Sequence, residues 1–268
     1  LIIYTSASWV VIFMDLFYGI KKGYPRIKRV SRLLASFLQL IRPYTLLAPV
    51  IAGIFGGLLP IIYEYGYYPQ GFLLVNWCKF LFLIFAFAFV QAGGQVINQV
   101  TDIEIDRINK PYRPLVRGEI DPGDAVFFGM VLIALSITFA GLLNDVCFAL
   151  GITGAFLAIY YSVEPIRAKK RHWIVGLFWQ ALARGFLPFL MAWSVFGYLT
   201  DLLPWLLATL GFLWVFAFQG TKDFADYEGD KKFGIPTIVT VYGFDEATKI
   251  ISYMGLVPIY FSVTIALI

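Results

Sequence analysis

Long apolar runs recur along the whole chain and constrain its fold more than any other feature. Reading these runs between polar breaks predicts seven membrane-spanning helices, over residues 36–61, 72–97, 124–143, 145–162, 173–198, 202–219 and 244–268. Of the 268 residues, 60% are hydrophobic and only 14% are charged, which excludes a soluble domain, a disordered chain and a nucleic-acid-binding protein. The sequence therefore predicts an all-α, polytopic membrane helical bundle that forms a single domain over residues 1–268.

The two ends of the sequence carry further expectations. Residues 1–18 are apolar and form either an eighth span or an interfacial helix, and a basic run follows them within the N-terminal segment 1–35. The chain starts at Leu1 and stops at Ile268 inside an apolar run, so we expect a processed, trimmed or partly observed chain.

Basic residues indicate the orientation in the membrane. With seven spans, the Lys- and Arg-containing segments 21–32, 107–117, 167–171 and 222–232 all fall on one face. The opposite connections, at 63–71, 144–145 and 197–204, contain no Lys or Arg. Because basic residues near helix ends accumulate on the cytoplasmic side, this polar face is predicted to be cytoplasmic.

Two acidic clusters lie on the same predicted face. The first follows the second span and the other follows the sixth; together they contain Asp102, Glu104, Asp106, Asp223, Asp226, Glu228 and Asp230. If each cluster continues its preceding helix, the pairs Asp102/Asp106 and Asp226/Asp230 each share one helical face, with Asn98 one turn before Asp102. Like charges at that spacing repel, and Mg²⁺ is a suitable compensating ion because it prefers carboxylate and phosphate oxygens. The alternative is that these are solvated helix ends paired with nearby Lys and Arg.

Polar and basic residues adjoin the acidic clusters. They form a predicted diphosphate-binding set of Asn109, Lys110, Arg113, Arg167, Lys169 and Lys222. The alternative interpretation is the general cytoplasmic bias of basic residues together with lipid headgroup contact. Since the helices beyond this set are aromatic and aliphatic, a diphosphate with a lipid tail fits, and this points to a prenyl diphosphate.

Arg184 lies near the middle of the fifth predicted span. A charge at that depth is costly and usually faces an internal cavity or a partner. Its role is either functional or a structural pair with Gln91 or Gln95, and Gln180 is predicted to be structural.

Several motifs resemble those of the UbiA-type intramembrane prenyltransferases. Residues 98–106 (NQVTDIEID) are similar to the family motif NDxxDxxxD, with Gln99 in place of the usual first Asp, and residues 107–114 (RINKPYRP) are similar to its RxNxPxRP continuation. Residues 222–230 (KDFADYEGD) and 234–237 (GIPT) resemble the second signature, KDxxDxxGD followed by GxxT. Residues 42–45 (RPYT) and the loop that begins with Tyr161-Ser162 resemble two further family segments.

The resemblance implies a bundle of nine helices around a central cavity and a Mg²⁺-dependent reaction through an allylic carbocation. It assigns catalysis to Asp102, Asp106, Asp226 and Asp230, and two Mg²⁺ sites to Asn98, Asp102 and Asp106 on one side and Asp223, Asp226 and Asp230 on the other. It also suggests cavity positions at Arg42, Tyr161 and Arg184. The implied partners are a prenyl diphosphate donor, for example geranylgeranyl diphosphate, membrane lipid, and a lipophilic acceptor that is a glycerol-phosphate lipid or an aromatic quinone-type precursor. The second signature leans towards the glycerol-phosphate and chlorophyll-type branches.

Two other classes compete with this prediction. A transporter or channel would use the acidic clusters as an ion path, but transporters place polar groups near the midplane on broken helices, whereas these acids follow cytoplasmic helix ends. A soluble all-helical prenyl synthase is excluded by the apolar composition.

Overall fold

The fold consists of helices, and no strand occurs in the part of the chain that the structure describes. The structure is a computed structural model that describes residues 25–67 and 70–267, with side chains from residue 30 onward. The predicted eighth span or interfacial helix at residues 1–18 lies outside the described residues. The helices are α1 Pro25–Ile41, α2 Leu47–Tyr65, α3 Phe72–Thr101, α4 Ile103–Asn109, α5 Pro122–Gly141, α6 Asp145–Tyr160, α7 Trp173–Ala181, α8 Leu187–Ser194, α9 Leu203–Phe218, α10 Tyr227–Lys232 and α11 Ile238–Ala266.

Among the described residues, six helical segments are long and apolar enough to cross a membrane. They are Pro43–Tyr65, Phe72–Thr101, Pro122–Gly141, Trp173–Ser194, Leu203–Phe224 and Ile238–Ala266. The segment predicted as the fourth span forms α6, which is apolar but has only 16 residues, so it rises about 24 Å along its axis. The prediction of an all-α membrane bundle is confirmed.

The first span begins later than predicted. The sequence predicted one helix over 36–61, but the chain leaves the helical conformation at Arg42, whose φ of 51° is left-handed. Pro43 follows, and a proline disfavours helical geometry at the residue before it. The predicted span is therefore divided between α1 and the segment Pro43–Tyr65.

Helix α1 packs on the bundle through one side only. Leu40 is fully buried and packs with Val96 and Leu115, and the Ser36 hydroxyl donates a hydrogen bond of 2.6 Å to Glu119. The Nε2 of Gln99 donates to the Leu40 carbonyl oxygen at 2.7 Å. Gln99, which departs from the family motif, thus ties α3 to the end of α1.

Glycines allow two close helix contacts. A β-carbon at Gly93 of α3 would lie 2.7 Å from the carbonyl oxygen of Gly129 in α5. A β-carbon at Gly185 would lie 2.3 Å from the carbonyl oxygen of Gly211 in α9. Small residues let membrane helices approach closely, so these contacts fix the positions of α3 and of the segment that joins α7 to α8.

Candidate active site

The two acidic clusters adopt the same local backbone geometry. Asp102 follows α3 with φ −111° and ψ 12°, and Asp226 precedes α10 with φ −102° and ψ 4°. The Asp106 N–H donates to the Asp102 carbonyl oxygen at 2.7 Å, and the Asp230 N–H donates to that of Asp226 at 3.0 Å. Neither cluster simply continues its preceding helix, so the continuous helices assumed from the sequence are wrong. Each forms a new short helix whose first turn is acidic, which the positive end of the helix dipole favours.

Asn109 links the two clusters, although they are more than a hundred residues apart. Its Nδ2 donates to the Asp226 carbonyl oxygen at 2.8 Å, and its Oδ1 accepts from the Gly229 N–H at 2.8 Å. Asn109 was predicted to bind diphosphate. In the structure, the Nδ2 and the Oδ1 of Asn109 are instead both hydrogen-bonded to backbone atoms of the second cluster.

Four of the five predicted diphosphate-binding cations lie directly against the carboxylates of the clusters. The structure contains four such ion pairs: Lys169 with Asp102, Lys110 with Asp226, Arg113 with Asp106, and Lys222 with Asp223 at 2.6 Å. The Arg113–Asp106 pair is buried, with 8% and 4% of the two side chains exposed, whereas the side chain of Lys222 is 48% exposed. The structure therefore brings the acidic and basic sets together in one site.

Asp230 differs from the other aspartates of the two clusters because its carboxylate makes no hydrogen bond or ion pair within the described part of the chain. Burial raises the pKa of its carboxyl to about 7; Lys222 opposes this shift, and the negative charges of Asp226, Asp223 and Asp102 add to it. Carboxylates from both clusters therefore raise the pKa of the same carboxyl group, that of Asp230. Burial likewise raises the pKa of Asp106, against the lowering effect of Arg113.

The donor set of the site fits a hard divalent cation. Among residues 25–67 and 70–267, no three Asp, Glu, His or Cys side chains lie close enough to hold a metal ion by themselves. Mg²⁺ does not require such a cage, because it is commonly held by one or two carboxylates and completed by water and substrate phosphate. The mutually repelling carboxylates around Asp230 supply the negative charge that such an ion neutralises.

Asn98 is held in place by a residue that sequence reasoning did not assign to the site. Its Nδ2 donates to Asp102 at 2.9 Å and to the Ser162 hydroxyl at 2.9 Å. Both amide hydrogens are thereby used, which leaves Oδ1 as an available acceptor. Ser162 follows Tyr161 in the sequence, and its place in the segment that resembles the family loop was the signal for it.

Arg167 holds an unusual backbone conformation and an unsatisfied donor. Its φ of 38° is left-handed, a conformation that Arg42 and Arg167 share among the described non-glycine residues. Its Nη2 lies 3.4 Å from the Thr101 carbonyl oxygen, but its buried Nε has no hydrogen-bond partner. Its Nη1 lies 3.8 Å from the exposed Glu164 carboxylate. Buried polar groups are normally paired, so the Nε can accept an additional anionic partner.

The predicted cavity residues Arg42, Tyr161 and Arg184 lie directly before the segment Pro43–Tyr65, directly after α6, and in the turn between α7 and α8. Arg184 has Tyr161 and Arg42 as its electrostatic neighbours. The suggested structural pair of Arg184 with Gln91 or Gln95 is not formed: Gln95 donates from Nε2 to the Thr45 hydroxyl at 2.8 Å, and the Arg184 side chain makes no hydrogen bond within the described residues.

The sequence of residues 59–268 matches the model of the UbiA prenyltransferase family. The chain belongs to this family. It is 31% identical over 218 residues to digeranylgeranylglyceryl phosphate synthase of Thermococcus sibiricus, which covers 81% of this chain and 72% of that protein. It is 30% identical over 233 residues to the bacteriochlorophyll synthase 33 kDa chain of Rhodobacter capsulatus, which covers 82% of this chain and 71% of that protein.

Solved UbiA structures share the fold. A UbiA homologue from Archaeoglobus fulgidus bound to GPP and Mg²⁺ superimposes with a TM-score of 0.70 at 24% identity, covering 87% of this chain and 78% of that one. The present UbiA protein is thus a prenyltransferase and an integral, multi-pass membrane protein.

Proposed function

We propose that this UbiA enzyme transfers a prenyl group from a Mg²⁺-bound prenyl diphosphate to a lipophilic acceptor, with the diphosphate at the two acidic clusters. The observation that supports this proposal is the Asn109 link, because its two hydrogen bonds join the helix that carries Asp106 to the backbone of the second cluster. In this assignment Asn98, Asp102 and Asp106 hold one Mg²⁺, and Asp223, Asp226 and Asp230 hold a second. Bound Mg²⁺ neutralises the diphosphate oxygens and makes the diphosphate a better leaving group.

The basic side chains of the site bind the donor and stabilise its departing charge. Arg167 offers a buried Nε without a partner, and Lys222 is exposed beside Asp223. Lys110, Arg113 and Lys169 contribute positive charge while paired with the carboxylates of the same site. Preorganised cations at the position where negative charge develops lower the barrier to ionisation.

Ionisation breaks the bond between C1 of the prenyl chain and the diphosphate oxygen, and the electron pair leaves with the diphosphate. The resulting allylic cation is stabilised by aromatic faces and shielded from water by the surrounding bundle. A nucleophilic carbon or oxygen of the acceptor then attacks C1 and loses its proton.

The donor and acceptor classes are supported by the relatives. The solved homologue from Archaeoglobus fulgidus binds GPP and, in another structure, DMAPP. Relatives act as digeranylgeranylglyceryl phosphate synthase and bacteriochlorophyll synthase. We assign a prenyl diphosphate such as geranylgeranyl diphosphate as donor, and a glycerol-phosphate lipid in preference to an aromatic quinone precursor as acceptor. The distribution of Lys and Arg supports a cytoplasmic position for the site.

A transfer assay tests this function. Purified protein in detergent is incubated with radiolabelled geranylgeranyl diphosphate, with and without Mg²⁺, and with geranylgeranylglyceryl phosphate, chlorophyllide or hydroxybenzoate. We expect Mg²⁺-dependent formation of one prenylated product, abolished by Asp102→Ala and by Asp230→Ala. Asp245→Asn removes an exposed carboxylate of α11 and serves as the matched control. No Mg²⁺-dependent binding or turnover of any prenyl diphosphate would favour the transporter instead.

A further inference from the structure

Helix α1 has an apolar stripe that faces away from the bundle. Val30, Leu34 and Leu38 are spaced four residues apart, so they share one face of the helix, and they are 49%, 54% and 58% exposed. Ser36 and Leu40, which pack on the bundle, are buried on a different face. Within the described part of the chain, the stripe is therefore left largely uncovered.

The length and the side-chain pattern of α1 are those of a helix that does not cross the membrane. It has 17 residues and is not among the six segments that are long and apolar enough to span. The left-handed break at Arg42 separates it from the span that follows. Arg32 and Gln39 are exposed and lie on the side of the helix opposite the stripe. A helix with one apolar and one polar face typically lies in the membrane–water interface.

The contacts of α1 place it beside the ends of two spanning helices. Leu40 shares a buried cluster with Val96, in the last two turns of α3, and with Ala125, in the first turn of α5. Phe37 packs edge-on against Phe128 of α5, with ring centroids 5.0 Å apart. The first acidic cluster directly follows α3, so α1 lies at the same membrane face, which is the face predicted to be cytoplasmic.

The charge of this part of the sequence indicates what lies against α1. Residues 16–41 contain no Asp or Glu, and their basic residues are Lys21, Lys22, Arg26, Lys28, Arg29 and Arg32. A second copy of the chain would bring the same positive charge to this face and be repelled. A membrane surface that contains anionic phospholipid supplies both the opposite charge for the basic segment and the acyl chains for the stripe.

We propose that α1 is a docking surface for anionic phospholipid. It lies in the membrane interface beside the acidic clusters, with Val30, Leu34 and Leu38 among the acyl chains and the basic segment 21–32 among the anionic head groups. This surface is distinct from the site of prenyl transfer, because it binds bulk lipid of the bilayer and not the reacting molecules.

Hydrogen bonds connect this surface to the acidic site. Gln39 of α1 accepts a hydrogen bond of 3.2 Å from Arg117, which also pairs with Glu119 at 2.8 Å. The Arg117 N–H donates to the Arg113 carbonyl oxygen at 3.0 Å, and the Arg113 guanidinium forms the buried pair with Asp106. Anionic lipid that holds α1 in place therefore also supports the loop that carries Arg113. This second part of the inference rests on the proposed function.

Spin labels on two adjacent residues of α1 test its position. Leu34→Cys and Ala35→Cys are made in a Cys78→Ser background, in which the remaining Cys147 is fully buried, and the full chain is reconstituted in vesicles of phosphatidylcholine and phosphatidylglycerol. The two labels are about 100° apart around the helix. We expect oxygen, which concentrates in the bilayer, to relax the label at 34, and a water-soluble nickel chelate to relax the label at 35.

Each other outcome at position 34 contradicts the proposed surface. Relaxation of this label by the nickel chelate, as at position 35, would place the stripe in water. Protection from both reagents would show that protein covers the stripe, either another segment of the chain or a second copy.

Quenching of a bimane fluorophore at position 34 by brominated lipid measures which phospholipid surrounds α1. We expect brominated phosphatidylglycerol to be preferred over brominated phosphatidylcholine by about fivefold, the effect of one basic residue at an anionic surface. Lys28→Gln together with Arg29→Gln should lower this preference, as should added salt. Lys249→Gln removes an exposed charge from α11 and should keep it. Equal quenching by the two lipids in the unaltered basic segment would overturn the anionic assignment.

Prenyl transfer in the same vesicles tests the connection to the acidic site. The wild type is expected to be faster with phosphatidylglycerol than with phosphatidylcholine alone, and Lys28→Gln with Arg29→Gln is expected to lose this difference while it keeps the rate in phosphatidylcholine. An equal loss in both vesicles, or no lipid dependence in the wild type, would overturn the connection. Absence of transfer in every vesicle would contradict the proposed function, whereas the spin-label and quenching results do not depend on turnover.

Discussion

The N–H of Gly229 donates a hydrogen bond of 2.8 Å to the side-chain oxygen of Asn109, and no space remains between the two residues. A β-carbon at Gly229 would lie 2.5 Å from the Asn109 Nδ2 and 2.7 Å from its Oδ1. The spacing of the two acidic clusters is therefore controlled by the absence of a side chain at position 229.

Gly229→Ala is expected to separate the clusters and lower prenyl transfer by about 10-fold or more, since small displacements of catalytic groups have effects of this order. Gly229 lies in the short helix α10, and its φ is not positive, so its backbone conformation is open to alanine. The expected cause of the loss is therefore steric. Transfer rates at saturating donor measure the effect. Gly154→Ala is the matched control, as a β-carbon there meets no atom within 4 Å. Wild-type rates in Gly229→Ala would show that the spacing is not critical.

Asn109→Asp is expected to reduce the rate of prenyl transfer by more than the loss of a single hydrogen bond would. The change replaces the Nδ2 donor to Asp226 with an acceptor and adds a negative charge beside an acidic cluster. An unpaired buried carbonyl costs about 1–3 kcal/mol. The rate of transfer is compared with that of Asn76→Asp, which alters an asparagine bonded to Phe72 at the far end of α3. Equal rates in the two variants would contradict the linking role of Asn109.

Arg113→Met is expected to destabilise the protein strongly, because it leaves the buried Asp106 carboxylate without its partner. Breaking a buried ion pair typically costs about 3–5 kcal/mol, whereas exposed pairs contribute about 0–1 kcal/mol. Thermal unfolding in detergent measures the difference against Arg107→Met, whose pair with Glu104 is exposed. Adding Asp106→Asn to Arg113→Met should recover part of the lost stability. Equal shifts in Tm for the two single variants would contradict the buried pair.

Ser162→Ala is expected to weaken Mg²⁺ binding, because Ser162 fixes the amide of Asn98. Removing groups that orient a metal ligand commonly reduces affinity about 10-fold to 100-fold. Titration of donor binding with Mg²⁺ measures this shift at constant donor concentration. Ser136→Ala removes another buried hydroxyl, bonded to the Ala86 carbonyl oxygen, and serves as the control. An unchanged Mg²⁺ titration in Ser162→Ala would exclude this role for Ser162.

The sequence predicted the helical bundle and the residues of the acidic clusters because both depend on local patterns. The apolar runs identified the spans, and the last predicted start, at residue 244, coincides with the kink at Gly243 in α11. The helix break at Arg42 was missed, although Pro43 marks it. Pro43 lies inside an apolar run, and the length of that run alone predicts one uninterrupted helix over 36–61.

Sequence patterns do not predict the tertiary contacts of the site. The bond between Asn109 and Gly229 joins residues 120 positions apart, and that between Asn98 and Ser162 joins residues 64 positions apart. Each depends on how helices pack, and no spacing along the chain encodes that. Arg184 was identified as unusual from its depth, but only the structure shows that Gln95 bonds Thr45 instead.

The docking of α1 also bears on how the enzyme can be shortened. The family match begins at residue 59, yet Leu40 packs against Leu115, and Ser36 bonds Glu119, in the loop that carries Arg113. A fragment trimmed to residues 59–268 would lose that support and leave this loop without its neighbour. The smallest unit that can be engineered as a working catalyst therefore includes α1, well upstream of the part that identifies the family.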